Sequence, residues 1–93
     1  MAVDRPTALV TGSASGIGRV AALRLARAGY DVAINYSRSA HAARHTLGEL
    51  ESLGGHHLAV CADVSDDAAV ATLVATVGEA YAAGHAGEQR RAN

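Results

Sequence analysis

Thr11-Gly12-Ser13-Ala14-Ser15-Gly16-Ile17-Gly18 is the stretch on which the reading of this chain turns. It follows Thr7-Ala8-Leu9-Val10-Thr11, a short apolar, partly β-branched run that predicts a buried strand. It leads into a segment where Ile17, Ala21, Leu25 and Ala28 recur at helical steps and predict one apolar helix face. Arg19, Arg24 and Arg27 take the remaining surface, and Gly29 closes the helix as a C-terminal glycine would. A glycine-rich loop between a strand and a helix is where a phosphate cradle belongs. Gly12 turns the chain out of the strand, Gly16 lets the backbone approach a pyrophosphate, and Gly18 lets the helix lie close on the sheet. Free amides at the helix start, near Ile17, then face the anion along the helix dipole. Such a loop taken alone serves equally well as a tight turn. There is no Gly-Lys-Ser/Thr ending, which excludes a P-loop nucleotide hydrolase.

Working outward, Asp31-Val32-Ala33-Ile34-Asn35-Tyr36 predicts a second strand. Ser39 caps a second helix that runs to about Leu53 and ends at Gly54-Gly55. His57–Ala62 predicts a third strand. Ser65 or Asp66 then caps a third helix with Val70, Leu73, Val74 and Val77 on its apolar face. The order β-α-β-α-β-α with short links means a parallel sheet built from right-handed crossovers. The expected fold class is α/β, the N-terminal half of a Rossmann, doubly wound sheet, with three strands and three helices over residues 1–83. After Ala83 the pattern changes, and residues 84–93 read as an irregular tail without period. No internal repeat is present.

The composition closes off several function classes. Ninety-three residues allow one small domain, and a net charge of −1 offers no basic field for nucleic acid. No apolar run reaches the roughly eighteen residues of a membrane span. The start, Met1-Ala2-Val3-Asp4-Arg5-Pro6, lacks the apolar stretch of a signal peptide, so the expected compartment is cytoplasmic. One cysteine, Cys61, excludes an internal disulfide and a cysteine-built metal cage, and it reads as a strand residue. His41 and His45 are four apart on a helix but find no third ligand, so they read as a polar face and no metal is expected. His56 and His57 alternate in facing and do not converge on one site. Of the apolar residues 22 are alanine, and Leu, Ile and Val number only 19, a thin core for the length. All eight basic residues are arginine, and there is no lysine.

The chain resembles the short-chain dehydrogenases/reductases, particularly their 3-oxoacyl-carrier-protein reductase-like branch. The resemblance rests on Thr11-Gly12-x-x-x-Gly16-Ile17-Gly18, on Ala22-x-x-Leu25-Ala26-x-x-Gly29, and on Cys61-Ala62-Asp63-Val64-Ser65. These motifs stand in the family's order and spacing and cover residues 7 to about 81. The resemblance implies an NAD(P)-dependent oxidoreductase exchanging a hydride with a carbonyl or alcohol, and homo-oligomers among full-length relatives. It implies that Gly12, Ser13, Ser15, Gly16, Ile17 and Gly18 meet the cofactor's adenosine and pyrophosphate. Asp63 and Val64 would hold the adenine. From spacing alone, Asp63 is equally a turn residue after the third strand. At the end of the second strand a carboxylate binds the ribose 2′-hydroxyl of NAD, whereas an arginine accommodates the 2′-phosphate of NADP. This chain has Asn35-Tyr36-Ser37-Arg38, with no acid. Charge-assisted bonds from Arg38 and Ser37, each worth about 1.5–3 kcal/mol, favour NADP over NAD.

The family's chemistry also needs residues that this chain does not have. Its members carry an Asn-Asn-Ala-Gly turn after the fourth strand, then a serine and a Tyr-x-x-x-Lys pair. With no lysine, and with Tyr30, Tyr36 and Tyr81 outside the catalytic segment, no catalytic residue is expected. The tail suggests a reason. Read one base later, the codons for His85–Arg91 and the first base of Ala92 can encode Thr-Leu-Val-Asn-Asn-Ala-Gly, the family's fourth strand and turn. The resemblance thus implies frame-shifted translation from about Ala82 onward, the alternative being a genuine, unrelated tail that merely permits this decoding. Two readings compete: a truncated cofactor-binding half of a reductase, and a non-catalytic nucleotide-binding or interaction module. The DNA just downstream separates them, since only the first requires Ser…Tyr-x-x-x-Lys in the shifted frame. Without a fourth strand, the first strand is an exposed edge, and the chain is not expected to be a stable monomer.

Overall fold

Three βα units follow one another in the computed structural model, which describes residues 5–82 and the backbone of 89–91. They are β1 (Thr7–Val10), α1 (Gly16–Arg27), β2 (Asp31–Tyr36), α2 (Ala40–Ser52), β3 (Leu58–Cys61) and α3 (Asp67–Ala82), followed by the three-residue β4 (Gln89–Arg91). All pairings are parallel, in the order β1-β2-β3-β4. β2 is paired on both sides and buried from Val32 to Tyr36, which is why its sequence is a nearly continuous apolar run rather than an alternating one. Its side chains feed two cores. Val32, Ile34 and Tyr36 pack with α1 and α2 on one face, and Ala33 packs with Leu58, Val60 and α3 on the other. The expected half of a doubly wound sheet is therefore present, with its first two helices on one face and its third on the opposite face.

α1 differs from expectation in its rotation. Its buried residues are Ala22, Leu23 and Ala26. Ala21 and Leu25 are only half-buried, Ala28 is exposed, and Ile17 is 90% exposed. The small Ala22 and Ala26 let the helix lie close on the sheet, and Arg19 reaches Glu49 on α2 through Nε at 3.1 Å and through Nη2. The Arg19 hydrogen bonds hold the Glu49 carboxyl below its ordinary value, and the nearby Arg19, His45 and Arg27 charges add to this. α3 likewise buries Leu73, Val77 and Ala80 but leaves Val70 and Val74 exposed. Of its two candidate caps it uses Asp66, whose Oδ1 accepts the Ala69 N–H at 2.7 Å. Ser39 stands before α2 as expected but makes no side-chain cap bond.

The N-terminal end of the sheet is tied by polar contacts. Asp31 Oδ1 accepts from Arg5 Nε at 2.7 Å and from the His56 N–H at 3.0 Å. Burial pushes the Asp31 carboxyl up, but these two donors outweigh it and hold it below its ordinary value. His57 is fully buried, accepts the Val32 N–H at Nδ1 (3.0 Å) and places Nε2 at 2.7 Å from the Gly54 carbonyl. Nε2 therefore carries the proton, and the ring continues the ladder where β3 begins. His56 is exposed, so the two histidines do face apart.

The tail is not wholly irregular, since Gln89–Arg91 pairs in parallel with Ala59–Cys61. This short strand lies on the open side of β3, whereas the usual doubly wound order, 3-2-1-4, places a fourth strand beside β1. The far side of β1 has no strand partner among the described residues. The rest of the expected irregular tail, residues 84–88 and 92–93, lies outside the described residues. No helix among them is long and apolar enough to cross a membrane.

Candidate functional site

The loop Thr11–Ser15 leaves the C-terminal end of β1 and enters α1 at Gly16. Gly12 and Gly16 have φ of 59° and 64°, the left-handed region that other residues adopt only at a cost. Gly18 is needed for a different reason. A Cβ there would lie 2.5 Å from the Gly12 carbonyl oxygen and 2.9 Å from Ser13 Cα, so the tight approach is between α1 and the loop backbone itself. Ser15, at the N-cap, makes no side-chain cap bond, and α1 has no acidic residue in its first turn. The first amides of the helix therefore keep their capacity to bind an anion.

A cleft of about 290 Å³ opens beside this loop. Gly12, Ala14 and Ser15 form one wall, and Asn35, Tyr36, Ser37, Arg38 and Ser39 form the other. The tertiary structure thus brings together Gly12, Ser15, Ser37 and Arg38, four of the residues singled out in the sequence. Its position, at the carboxyl ends of β1 and β2, is where open α/β sheets bind ligands.

The remaining residues lie differently. Ser13 is fully buried; its hydroxyl donates to the Val10 carbonyl and accepts the Asn35 N–H at 3.1 Å. Its side chain is committed to the loop and does not face the cleft. Ile17 projects from the first turn of α1 into solvent. Asp63 and Val64 follow β3 and are not among the cleft-lining residues. Asp63 is exposed and forms a turn, its Oδ1 accepting the Ser65 N–H at 3.1 Å, while Val64 packs against the α3 core. Cys61 is half-buried, with its thiol 3.6 Å from the Ser37 carbonyl. Among the described residues no three His, Cys, Asp or Glu side chains group as metal ligands. His45 instead lies 3.3 Å from Glu49.

Sequence reasoning missed two features. The sequence marks Asn35 as a strand-end position without an acid, yet in the structure it is 2% exposed and bonded through every polar atom. A lone amide in a doubly buried strand was the available signal, since such a group must find partners. Thr46 was also overlooked; its buried hydroxyl donates to the Ala14 carbonyl at 2.7 Å and ties the loop to α2.

Comparison with known proteins points the same way. The family model described as short chain dehydrogenase matches residues 6–85. An L-rhamnose 1-dehydrogenase (NAD(P)(+)) from a Sphingomonas species is 44% identical over 85% of this chain. The short-chain dehydrogenase/reductase homolog YusS of Bacillus subtilis is 40% identical over 83% of this chain, which spans 71% of its length. A short chain dehydrogenase from Burkholderia cenocepacia, solved in complex with NADP, superposes with a TM-score of 0.77 at 42% identity, covering 84% of this chain and 31% of that one. The chain likewise spans only 31% of the length of the rhamnose dehydrogenase.

Proposed function

The chain belongs to the short chain dehydrogenase family, and from that premise we propose that its cleft binds the adenosine end of NADP. What carries the proposal is the meeting of the glycine loop with Ser37 and Arg38 across one cleft. At about 290 Å³ this space is at the lower end of ligand pockets, which suits part of a dinucleotide rather than the whole. Ser15, Gly16 and Ile17 would meet the phosphates with backbone amides, and Gly18 keeps α1 close enough for those amides to reach. Gly12 shapes the loop at the cleft wall, while its own N–H is bonded to Asn35 Oδ1. Ser13 acts by holding the loop, not by side-chain contact. Ser37 and Arg38 would hold the 2′-phosphate, and Asp63 and Val64, which follow β3 outside the cleft lining, would hold the adenine where it extends past the cleft. Within a longer reductase, NADPH supplies a hydride for a carbonyl group. The residues of this chain bind and orient the cofactor.

The nucleotide preference is directly testable. NADP should bind more tightly than NAD, and the difference should shrink as salt screens the Arg38 charge. Arg38→Ala should weaken NADP binding about ten- to hundredfold, the value of one charge-assisted bond, and leave NAD nearly unchanged. Calorimetric titration giving equal NADP:NAD ratios for the two proteins would refute the assignment.

This 93-residue chain should not reduce carbonyl compounds by itself. It has no lysine for a Tyr-x-x-x-Lys pair. Of its three tyrosines, Tyr36 lines the cleft but is buried in the core beneath α1 and α2, and the other two stand near the far end of the sheet. Tyr81 donates to the His56 carbonyl at 2.9 Å, near the opposite end of the sheet, and burial pushes its hydroxyl well above the ordinary value. Tyr30 likewise precedes β2 at that end. NADPH consumption with a ketone substrate above a no-protein control would contradict this expectation.

A further inference from the structure

Asn35 occupies the point where the glycine loop, β2 and β3 meet, and it is 2% exposed. Its Oδ1 accepts the Gly12 N–H at 3.2 Å. Its Nδ2 donates to the Ala62 carbonyl at 3.1 Å and, more weakly, to the Val60 carbonyl at 3.4 Å. Its backbone C=O accepts the Ser13 N–H at 2.9 Å, and its N–H donates to the Ser13 hydroxyl. These partners fix the orientation of the carboxamide. Gly12 offers only a donor there, and Val60 and Ala62 offer only acceptors, so the amide fits one way round. One side chain thus joins the loop that turns toward the cleft to the strand end that leads into Asp63.

We propose that Asn35 is the positioning residue of the cofactor site, its carboxamide holding the phosphate loop in register with the ends of β2 and β3. This rests on the cofactor reading above, because it assigns how that site keeps its shape. It also explains why the strand-end position at 35 carries no acid. A carboxylate there would accept from Gly12 but set its second oxygen against two carbonyl oxygens. Discrimination between nucleotides consequently belongs to the residues that follow, Tyr36, Ser37 and Arg38, which line the cleft. Asn35 acts through Gly12 and Ala62 and is not a catalytic residue.

Asn35→Asp separates positioning from simple packing, because it preserves volume and changes only the donor. Deprotonated, the variant loses the bond to Ala62. Protonated, its carboxyl O–H can donate to Ala62 while the other oxygen still accepts from Gly12. Burial among carbonyls raises the carboxyl pKa, so the switch falls in an accessible range. The groups facing Asn35 from the loop and from β3 are backbone atoms and the Ser13 hydroxyl, none of which titrates there. NADP affinity of N35D relative to wild type should therefore be at least about tenfold lower at pH 8 and recover most of that loss near pH 5.5. Taking the ratio to wild type cancels titration of the nucleotide itself.

Hydrogen exchange at the Gly12 amide, followed by mass spectrometry, supplies a reading independent of cofactor. It should be as slow as the β2 amides in wild type and fast in N35D at pH 8. Wild-type affinity in N35D at pH 8 overturns the proposal, as does a loss that low pH does not reverse in a variant with intact circular dichroism. If N35D does not fold, the wild-type measurement decides alone, and a Gly12 amide exchanging like an unbonded loop amide overturns the proposal. A wild-type chain that binds no NADP yet protects Gly12 rejects the cofactor reading and leaves the role of Asn35 in setting the loop intact.

Discussion

Gly18→Ala should lower NADP affinity more than tenfold and destabilise the fold, although alanine is the better helix former. The added Cβ would lie 2.5 Å from the Gly12 carbonyl oxygen, 2.9 Å from Ser13 Cα and 3.1 Å from the Gly12 carbonyl carbon. All three are backbone atoms, so no side chain can rotate away. The loop cannot move freely either, since Asn35, Thr46 and Val10 hold it at Gly12, Ala14 and Ser13. Relieving such overlap costs about 1–3 kcal/mol, against about 1 kcal/mol of helix propensity in favour of alanine. The displaced segment is the one whose amides face the cleft, so binding suffers beyond the stability loss. Gly48 and Gly78 provide the control. Both are inside helices, and a Cβ on either meets nothing within 4 Å. Gly48→Ala and Gly78→Ala should each stabilise by about 0.5–1 kcal/mol with NADP affinity unchanged. Thermal melts and nucleotide titrations of the three variants test this, and a Gly18→Ala protein that binds like wild type would show the close approach to be dispensable.

The second large effect concerns the free side of β1. The bond from the Asp31 N–H to the Pro6 carbonyl, 2.8 Å long, and the register Thr7↔Asp31 direct Pro6 and Ala8 toward β2. The backbone N–H and C=O groups of Thr7 and Leu9 consequently face the open side. β1 carries no charge and no proline to discourage pairing with another chain. Ile17 and Val20 on one layer and Val70 and Val74 on the other add exposed apolar surface. Sedimentation equilibrium at micromolar concentration should give a mass well above 9.4 kDa. Thr7→Lys, which places a charge on the exposed edge, should shift the chain toward monomer. A wild-type sample that sediments as a monomer and melts cooperatively would show that the open edge is tolerated.

Much of the architecture was legible along the chain. Runs such as Asp31–Tyr36 announce a strand buried on both faces, and the glycine spacing from Gly12 to Gly18 announces the loop and the start of α1. Of the candidate site, Gly12, Ser15, Ser37 and Arg38 were singled out along the chain, and they line one cleft. The site was not legible where a side chain is used internally. Ser13 in the same motif turns inward, and Asn35 is hydrogen-bonded to loop and strand ends.

What the amino-acid sequence determined by itself is the succession of βα units and their parallel pairing. Those follow from periodicity and turn residues within a short window, together with the helical crossover that joining two parallel strands requires. What only the tertiary structure decided depends on partners far apart in the chain. The rotation of α1 is set by alanines pressed to the sheet and by Arg19 meeting Glu49 thirty residues later. The shape of the loop is held by Asn35 and Thr46, which lie over twenty residues beyond the groups they bind. The arginine-containing Gln89–Arg91 pairs with β3 rather than remaining irregular. In each case a local pattern admits several arrangements. Burial and the need to pair every polar group in a dry interior select one.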